Sequence, residues 1–412
     1  MTTLIENCFD PSERIGKFID NGRLEIANIL GIGAYGVVYS AKHINQRIYA
    51  VKCMPKNNLD TRQQRLHANE INLHAQVSGH PNIINLENVI DTDDSLNVVL
   101  EYCSEGDLFS MITEKGGYLG NDHLIKQVFV QILDAVQYSH YNGIYHRDLK
   151  PENILVFDGG RTVKLADFGL ATTDAWSKDF GCGSTFYMSP ECQGGLHKQV
   201  RGYATAPNDV WSLGVILINI TCGRNPWKQA CLRDETFSMY LQDRDFLKTI
   251  LPLSDELNEI LKDIFNPNPE KRITIRELRE RVLACEKFTI SEDDVKTTTT
   301  TQQDDDFIDI RDMPISNVAP REIRNYSSSS SSATACSWYS MNSEMDFSTP
   351  PSDFLVDYDR CYSSSTGSSS SLSTLATSQP DLIKCFNHDL GISLKCGDLI
   401  MDDHILQTDC IF

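Results

Sequence analysis

The chain has 412 residues, a formal net charge of −20 and a pI near 4.9, with 41% hydrophobic and 9% aromatic residues. That length suits two or three average domains, or one larger unit with a tail, and the apolar share is enough for a sizeable core. The acidity excludes a nucleic-acid binder that works through a basic face, and no apolar run approaches the roughly 20 residues of a membrane helix.

Met1 to Glu6 lacks a basic start followed by an apolar run, so no secretory leader is expected. Thirteen cysteines are scattered without a CxxC pair, which suits reduced thiols better than a disulfide framework. Residues from about Ile15 to Cys285 read as globular. Leu24 to Leu30 partly alternates and suits a strand. It runs into Gly31-Ile32-Gly33-Ala34-Tyr35-Gly36, a GxGxxG that dinucleotide-binding folds share. There the third glycine opens a helix. Here Val37, Val38 and Tyr39 favour a second strand, and the spacing predicts a hairpin whose bare backbone can lie over phosphates. Tyr49-Ala50-Val51-Lys52 is a short strand delivering one cation. Glu70, in the helical stretch His67 to Leu73, is the candidate partner of Lys52. An exposed ion pair contributes only about 0–1 kcal/mol, so the pair would aim Lys52 rather than stabilise the fold. Two unrelated surface charges are the plainer alternative.

His80 to Leu86 and Asn97 to Tyr102 read as two more strands of a small sheet. Leu108 to Ile112 and His123 to His140 read as helices, the second with an apolar face of Leu124, Val128, Ile132, Leu133, Val136 and Tyr138. Val163 to Ala166 is a strand leading into Asp167, and Val210 to Thr221 is apolar enough for a buried helix. Between these lies His146-Arg147-Asp148-Leu149-Lys150-Pro151-Glu152-Asn153. Pro151 fixes its own φ and pushes Lys150 out of helical geometry, so a loop is expected. In that loop Asp148 can accept the proton of an incoming hydroxyl, Lys150 can neutralise phosphoryl charge, and Asn153 can ligate a metal. Asp167-Phe168-Gly169 offers a second carboxylate for that metal.

These two stretches resemble the catalytic loop and metal-binding turn of eukaryotic protein kinases. The resemblance covers about Ile15 to Cys285. It implies an α+β, bilobal protein kinase fold: a small antiparallel β-sheet lobe and hinge over 15–103, a larger mainly helical lobe over 104–288, and a tail over 289–412. It implies ATP and Mg2+ as cofactors and protein substrates with Ser/Thr acceptors. Asp148 would be the proton acceptor, Lys150 would touch the transferring phosphoryl, and Asp167 and Asn153 would hold the metal. Gly31, Ile32, Gly33, Ala34, Tyr35, Gly36, Val38 and Ala50 would enclose the nucleotide. Lys52, braced by Glu70, would hold the α- and β-phosphates. Leu100 would guard the back pocket, and Glu101 to Cys103 would be the hinge meeting the adenine edge. Lysine at position 150 resembles serine/threonine rather than tyrosine kinases. Glu191 of Ser189-Pro190-Glu191 would pair with Arg272, and Asp209 would brace the catalytic loop. The runs Ser184 to Gly194 and Val77 to Ile84 resemble a fungal subgroup that includes a fission-yeast negative regulator of meiosis and budding-yeast glucose-response kinases.

Three departures from the family stand out. Phe180 stands where many members phosphorylate a threonine, and the adjacent Asp179 is a candidate to meet Arg147 instead, which implies activity without phosphorylation of this segment. Thr172, Thr173, Ser177 or Ser184 taking over as the modified residue is the alternative. His74 replaces the usual Leu or Met, and a neutral, packed ring is expected. Asn219 stands where an acid is frequent, although Glu105, Asp107 and Glu152 would form an acidic rim for a basic substrate residue. Cys182, in the same segment, reads as a quiet structural thiol.

Beyond Ser291 the composition changes to Ser, Thr and Asp runs, with 7 Lys/Arg against 20 Asp/Glu. Such a tail cannot repay its ordering entropy and is expected to be disordered. Leu399-Ile400-Met401 and Ile405-Leu406 are candidate docking points for a regulator, with functionless solvated islands as the simpler account. A pseudokinase scaffold, which would have lost a Lys, Asp or Asn, is the rival class, and none is lost. The remaining expectations are a monomer, no nucleic acid or membrane partner, and a cytoplasmic and nuclear location.

Overall fold

The computed structural model describes residues 10–33, 36–57 and 59–290. Ala34 and Tyr35 of the glycine loop, and the Ser/Asp tail with its apolar islands, lie outside the described residues. Six antiparallel strands form the first lobe, in the order β1 (Phe18–Ile19), β2 (Leu24–Ile32), β3 (Val37–His43), β4 (Ile48–Pro55), β6 (Ser95–Glu101), β5 (Leu86–Asp91). Leu24, Ile26, Val37, Tyr39, Ala41, Val51, Cys53 and Val99 bury one face of this sheet. The β2–β3 hairpin is closed by Gly33 N donating to the Gly36 carbonyl at 2.9 Å. Gly36 is glycine for a packing reason as well, since a Cβ there would lie 2.5 Å from the Cys53 carbonyl oxygen. Helix α1 (Thr61–Val77) follows β4, started by a reciprocal cap between Asp60 and Gln63.

The expected strand at His80 to Leu86 is displaced: the strand begins at Leu86 and runs to Asp91. Residues 80–85 instead cross towards the second lobe, where Ile84 N donates to Leu165 O at 2.9 Å and Leu165 N to Asn82 O at 2.8 Å. The Asn82 amide reinforces this by donating to Gln131 Oε1 and Val163 O. Ile83 and Ile84 are apolar because they are buried between elements, which the pattern alone does not separate from a strand.

The larger lobe is built on α3 (Asp122–Tyr141) and α4 (Thr205–Cys222), with short α2 (Leu108–Thr113) ahead of them. The β7 (Ile154–Phe157) and β8 (Thr162–Leu165) hairpin carries the site, and β9 (Trp176–Ser177) pairs with β10 (Tyr203–Ala204). Helices α5 (Glu235–Gln242), α6 (Phe246–Ile250), α7 (Asp255–Ile264) and α8 (Ile275–Ala284) complete it. Helix α4 is apolar on nearly all sides and buried along its length, as a central helix must be. It stops at Gly223, whose φ of 67° is the left-handed cap that glycine adopts without strain. On α3 the buried stripe includes Ile125 and Phe129, while Leu124 and Tyr138 only border it.

One ion pair fastens the two halves of this lobe. Arg272 donates to both oxygens of Glu191, at 2.6 and 3.1 Å, and to the carbonyls of Pro207 and Asn266. Both residues are buried, and the guanidinium also lies 4.9 Å from the Trp211 ring. Removing one partner strands the other charge in the interior, at a cost of about 3–5 kcal/mol. Arg272→Ala is therefore expected to lower the melting temperature by roughly 10 °C in a calorimetric scan. A shift of only about a degree would show that the pair adds nothing net.

Candidate active site

Strand β4 presents Lys52 towards α1. Its Nζ donates to Glu70 Oε1 at 2.5 Å and to Asp167 Oδ1 at 3.0 Å. The Lys52 and Glu70 side chains are 15% and 9% exposed, so this is not the exposed pair that the sequence suggested, and its attraction is little screened. Asp167 keeps 43% of its side chain open. Burial works against the Lys52 ammonium, yet Asp167 and Glu70 outweigh it and raise its pKa. Lys52 in turn holds the Asp167 carboxyl down to about 2, against its own burial. Burial moves Glu70 the other way, upward, with Lys52 opposing. Asp167 has a φ of 59°, uncommon for a residue with a side chain.

The His146 to Lys150 stretch is the expected loop, and residues Pro151–Asn153 add one 3-10 turn. Its backbone hangs on Asp209 of α4. The Asp209 carboxylate is fully buried and accepts from His146 N and Arg147 N, both at 2.9 Å, and contacts His140 Nε2 at 2.8 Å. These bonds hold Arg147 at a φ of 64°. Asp148 then receives Lys150 Nζ at 2.8 Å on Oδ2 and the Ser184 hydroxyl at 2.8 Å on Oδ1. Lys150 Nζ also donates to Ser184 Oγ at 3.0 Å. Asn153 turns its Nδ2 to the Asp148 carbonyl at 2.8 Å, so its Oδ1 is the atom left for a cation.

Asp167 and Asn153 offer oxygen only, a donor set that fits a hard cation such as Mg2+. Among the described residues no group of three or more His, Cys, Asp or Glu could hold a metal ion. An ion on these two oxygens would thus complete its shell from phosphate and water. Of the residues expected to enclose a nucleotide, Ala50 lies opposite Leu100 and Val38 opposite Lys52 in the sheet register. Leu100 and Cys103 pack against Ile84, Leu155 and Ala166. Glu101 N bonds Asn85 O and its carboxylate takes Lys164 Nζ at 2.6 and 2.8 Å, whereas neither backbone group of Cys103 bonds another backbone group among the described residues. At the expected hinge, Cys103 thus presents one N–H and one carbonyl without a backbone partner among the described residues.

With a lysine braced by a glutamate, a carboxylate beside an ammonium and an oxygen-only metal pair in one groove, likeness to known proteins becomes decisive. The protein kinase domain family matches residues 24–283. The chain belongs to the protein kinase family. The chain is 50% identical over 299 residues to the "Negative regulator of sexual conjugation and meiosis" of Schizosaccharomyces pombe, covering 68% of this chain and 63% of that protein. It is 40% identical over 235 residues to "Serine/threonine-protein kinase VHS1" of Saccharomyces cerevisiae, covering 54% and 50%. It is 37% identical over 235 residues to "Serine/threonine-protein kinase SKS1" of the same yeast, covering 54% and 46%. The chain thus spans about half to two-thirds of the length of these relatives, and the fungal resemblance read from its motifs is borne out.

Several candidate residues of the kinase stand differently from the expectation. Asp107 is not part of an open acidic rim: it is buried and caps α2, accepting from Ser110 N at 2.7 Å. Glu105 accepts from Gly159 N at 2.8 Å. Glu152 alone of the three has a buried carboxylate oxygen, Oε2, without a hydrogen-bond partner. Asp179 does meet Arg147, at 3.2 Å, together with Ser177 Oγ. Burial pushes the Cys182 thiol pKa up, as befits an inert thiol. Ser184 entered the sequence reading only as a phosphorylation alternative, and its bridge between Asp148 and Lys150 was missed. A hydroxyl at a set distance before Ser189-Pro190-Glu191 is the one signal it carries.

His74 is neutral and packed, as expected. Its Nε2 donates to Ile84 O at 2.7 Å, and its ring stacks 4.9 Å from Phe168, itself 5.1 Å from the His146 ring. Burial brings its pKa down to about 4, with Lys52, Asp167 and His146 the charged and titratable groups facing it. The folded chain takes up this proton only near pH 4, the unfolded chain near 6.5, so stability falls as pH drops through that window. For His74 alone the loss is on the order of 3 kcal/mol. His74→Leu is expected to flatten the slope of unfolding free energy against pH between 4 and 6.5, measured by denaturant titration. His67 and His80, also lowered by burial, keep part of the slope. An unchanged slope would remove His74 as its source.

Proposed function

We propose that this chain is a protein serine/threonine kinase that transfers the γ-phosphoryl group of Mg-ATP to Ser or Thr hydroxyls of protein substrates, with residues 15–288 as the catalytic unit. The observation that carries the reading is the Asp148 carboxylate, which already holds a serine hydroxyl at 2.8 Å beside the Lys150 ammonium. A substrate hydroxyl brought to the same carboxylate gives up its proton to Asp148. Lys150 offsets charge on the moving phosphoryl, and Lys52, aimed by Glu70, holds the α- and β-phosphates. Asp167 and the Asn153 amide oxygen would hold the magnesium, which when bound neutralises phosphate charge. The hairpin Gly31 to Val38 would cover the triphosphate, Ala50 would lie against the base, Leu100 would guard the pocket behind it, and Cys103 would meet its edge.

Glu152, with one buried oxygen unpaired, supports a preference for an arginine before the acceptor residue. Arg147 bonded to Asp179 and Ser177 supports activity without phosphorylation between Asp167 and Glu191. The name of the fission-yeast relative supports a meiotic signalling role; fungal nutrient or cell-cycle signalling, a monomeric state and a cytoplasmic and nuclear location complete the proposal.

Radiolabel transfer onto an arrayed peptide set tests the chemistry and the preference together. Asp148→Ala is expected to lower turnover by about 10²–10⁴-fold, and wild type to favour peptides with Arg at −3. Equal labelling by the two proteins would favour a scaffold, and indifference to Arg would remove Glu152 from recognition. Protein made in bacteria and treated with phosphatase is expected to keep full activity; loss of activity would return the segment to phosphate control.

A further inference from the structure

The segment from Asp174 to Gly181 is not held by the Arg147 contacts alone. Strand β9 pairs antiparallel with β10, Tyr203 opposite Ser177 and Ala204 opposite Trp176. The Tyr203 hydroxyl donates to Asp179 O at 3.2 Å, and its ring lies 6.1 Å from that of Phe180. Thr205, the first residue of α4, donates through Oγ1 to Asp174 O at 2.8 Å and through its backbone N to Ala175 O at 3.1 Å. At the far end Gly181 N donates to Cys192 O at 2.9 Å. Tyr203 and Thr205 are both buried, so these bonds compete little with water. The fit is close: a Cβ on Gly202 would lie 2.4 Å from Trp176 Nε1 and 2.7 Å from Ser177 O.

What the bonds fix is the stretch that meets Arg147. Ser177 Oγ accepts from Arg147 Nη1 at 3.2 Å and from Asp179 N at 3.1 Å, and Asp179 Oδ2 accepts from Nη1 at 3.2 Å. The Asp179 side chain is 71% exposed, and so open a carboxylate is a weak tether by itself. A phosphorylated side chain orders such a loop by adding charge-assisted bonds to an arginine. Here neutral bonds to a neighbouring part of the chain add the order, among them the Tyr203 hydroxyl on the Asp179 carbonyl.

We infer that Tyr203 and Thr205 form a built-in clasp that orders the Asp174 to Gly181 segment in place of a phosphate, and that both act as positioning residues for the protein substrate. The inference rests on the phosphorylation-independent reading above and names what makes that independence physical. The clasp is rooted at the start of α4, four residues before Asp209, so one helix sets both the catalytic loop and the segment that faces the substrate.

The test uses the full chain, made in bacteria, phosphatase-treated and shown by mass spectrometry to be unphosphorylated. Tyr203→Phe removes the hydroxyl and keeps the ring; Thr205→Val removes the Oγ1 bond and keeps the backbone one. Each is expected to raise the KM for peptide by about 3- to 10-fold with the KM for ATP within about twofold. Amide exchange over residues 174–181 should quicken by about tenfold with the melting temperature nearly unchanged. A parallel rise of both KM values with a lowered melting temperature would mean general destabilisation and overturn the clasp. Variants matching active wild type in peptide KM and exchange would overturn it while leaving phosphorylation-independence standing. An inactive phosphatase-treated wild type would overturn both.

Discussion

The Asp209 carboxylate is the point from which the site is hung. A buried charge is tolerated only when its lone pairs are filled, and Asp209 fills them with two backbone N–H groups of the catalytic loop and the His140 ring. Because the bonds go to backbone, they fix the path of the chain and not the identity of its side chains. Arg147 is thereby kept in a left-handed conformation, which turns Asp148 towards the groove and Arg147 back towards Leu170, Ser177 and Asp179. Helix α4 can supply such an anchor because it is buried along its length and packed through Gly214 against Ile264 and Phe265.

Two clusters of paired charges result. In one, a single ammonium is shared by Glu70 and Asp167, so neither carboxylate owns it. In the other, Lys150 lies against Asp148 with a serine hydroxyl bridging them. The Lys150–Asp148 cluster is formally neutral and the Lys52 cluster carries one excess negative charge, which Asp167, the more exposed of its carboxylates, shares with solvent. Each also has a longer contact, the 3.0 Å bonds from Lys52 to Asp167 and from Lys150 to Ser184.

The residues that the sequence made legible are those whose meaning lies in a short contiguous run. The catalytic loop, the Asp167 turn, the Lys52 strand and the apolar α4 stretch all declare themselves within a few positions. Asp209 and the Glu191–Arg272 pair needed the family resemblance, because their partners are far away in the chain. What escaped was set by tertiary contact. Ile83 and Ile84 look like strand residues, yet they are apolar because two lobes meet over them. Asp107 reads as an open acid and is a buried helix cap, for a carboxylate before a helix suits either role until burial is known. Tyr203 carries no local signal and Ser184 only its distance from Ser189-Pro190-Glu191, since a tyrosine and a serine gain their roles only once Asp179 and Asp148 are brought beside them.

The larger lobe is stitched by contacts very distant along the chain. Arg279 on α8 binds Asp134 on α3 at 2.6 Å, and Lys126 reaches the Leu283 carbonyl, across 145 and 157 positions. At a ribosomal pace of about 5–20 residues per second, α3 waits roughly 7 to 30 s for its partner helix to be made. Arg272, which secures Glu191, likewise emerges late, near the end of the larger lobe. The nascent chain therefore carries its complete catalytic loop well before the stitches that fasten it, and for that interval exposed α3 and α4 surfaces are the part of the newborn polypeptide most in need of a chaperone.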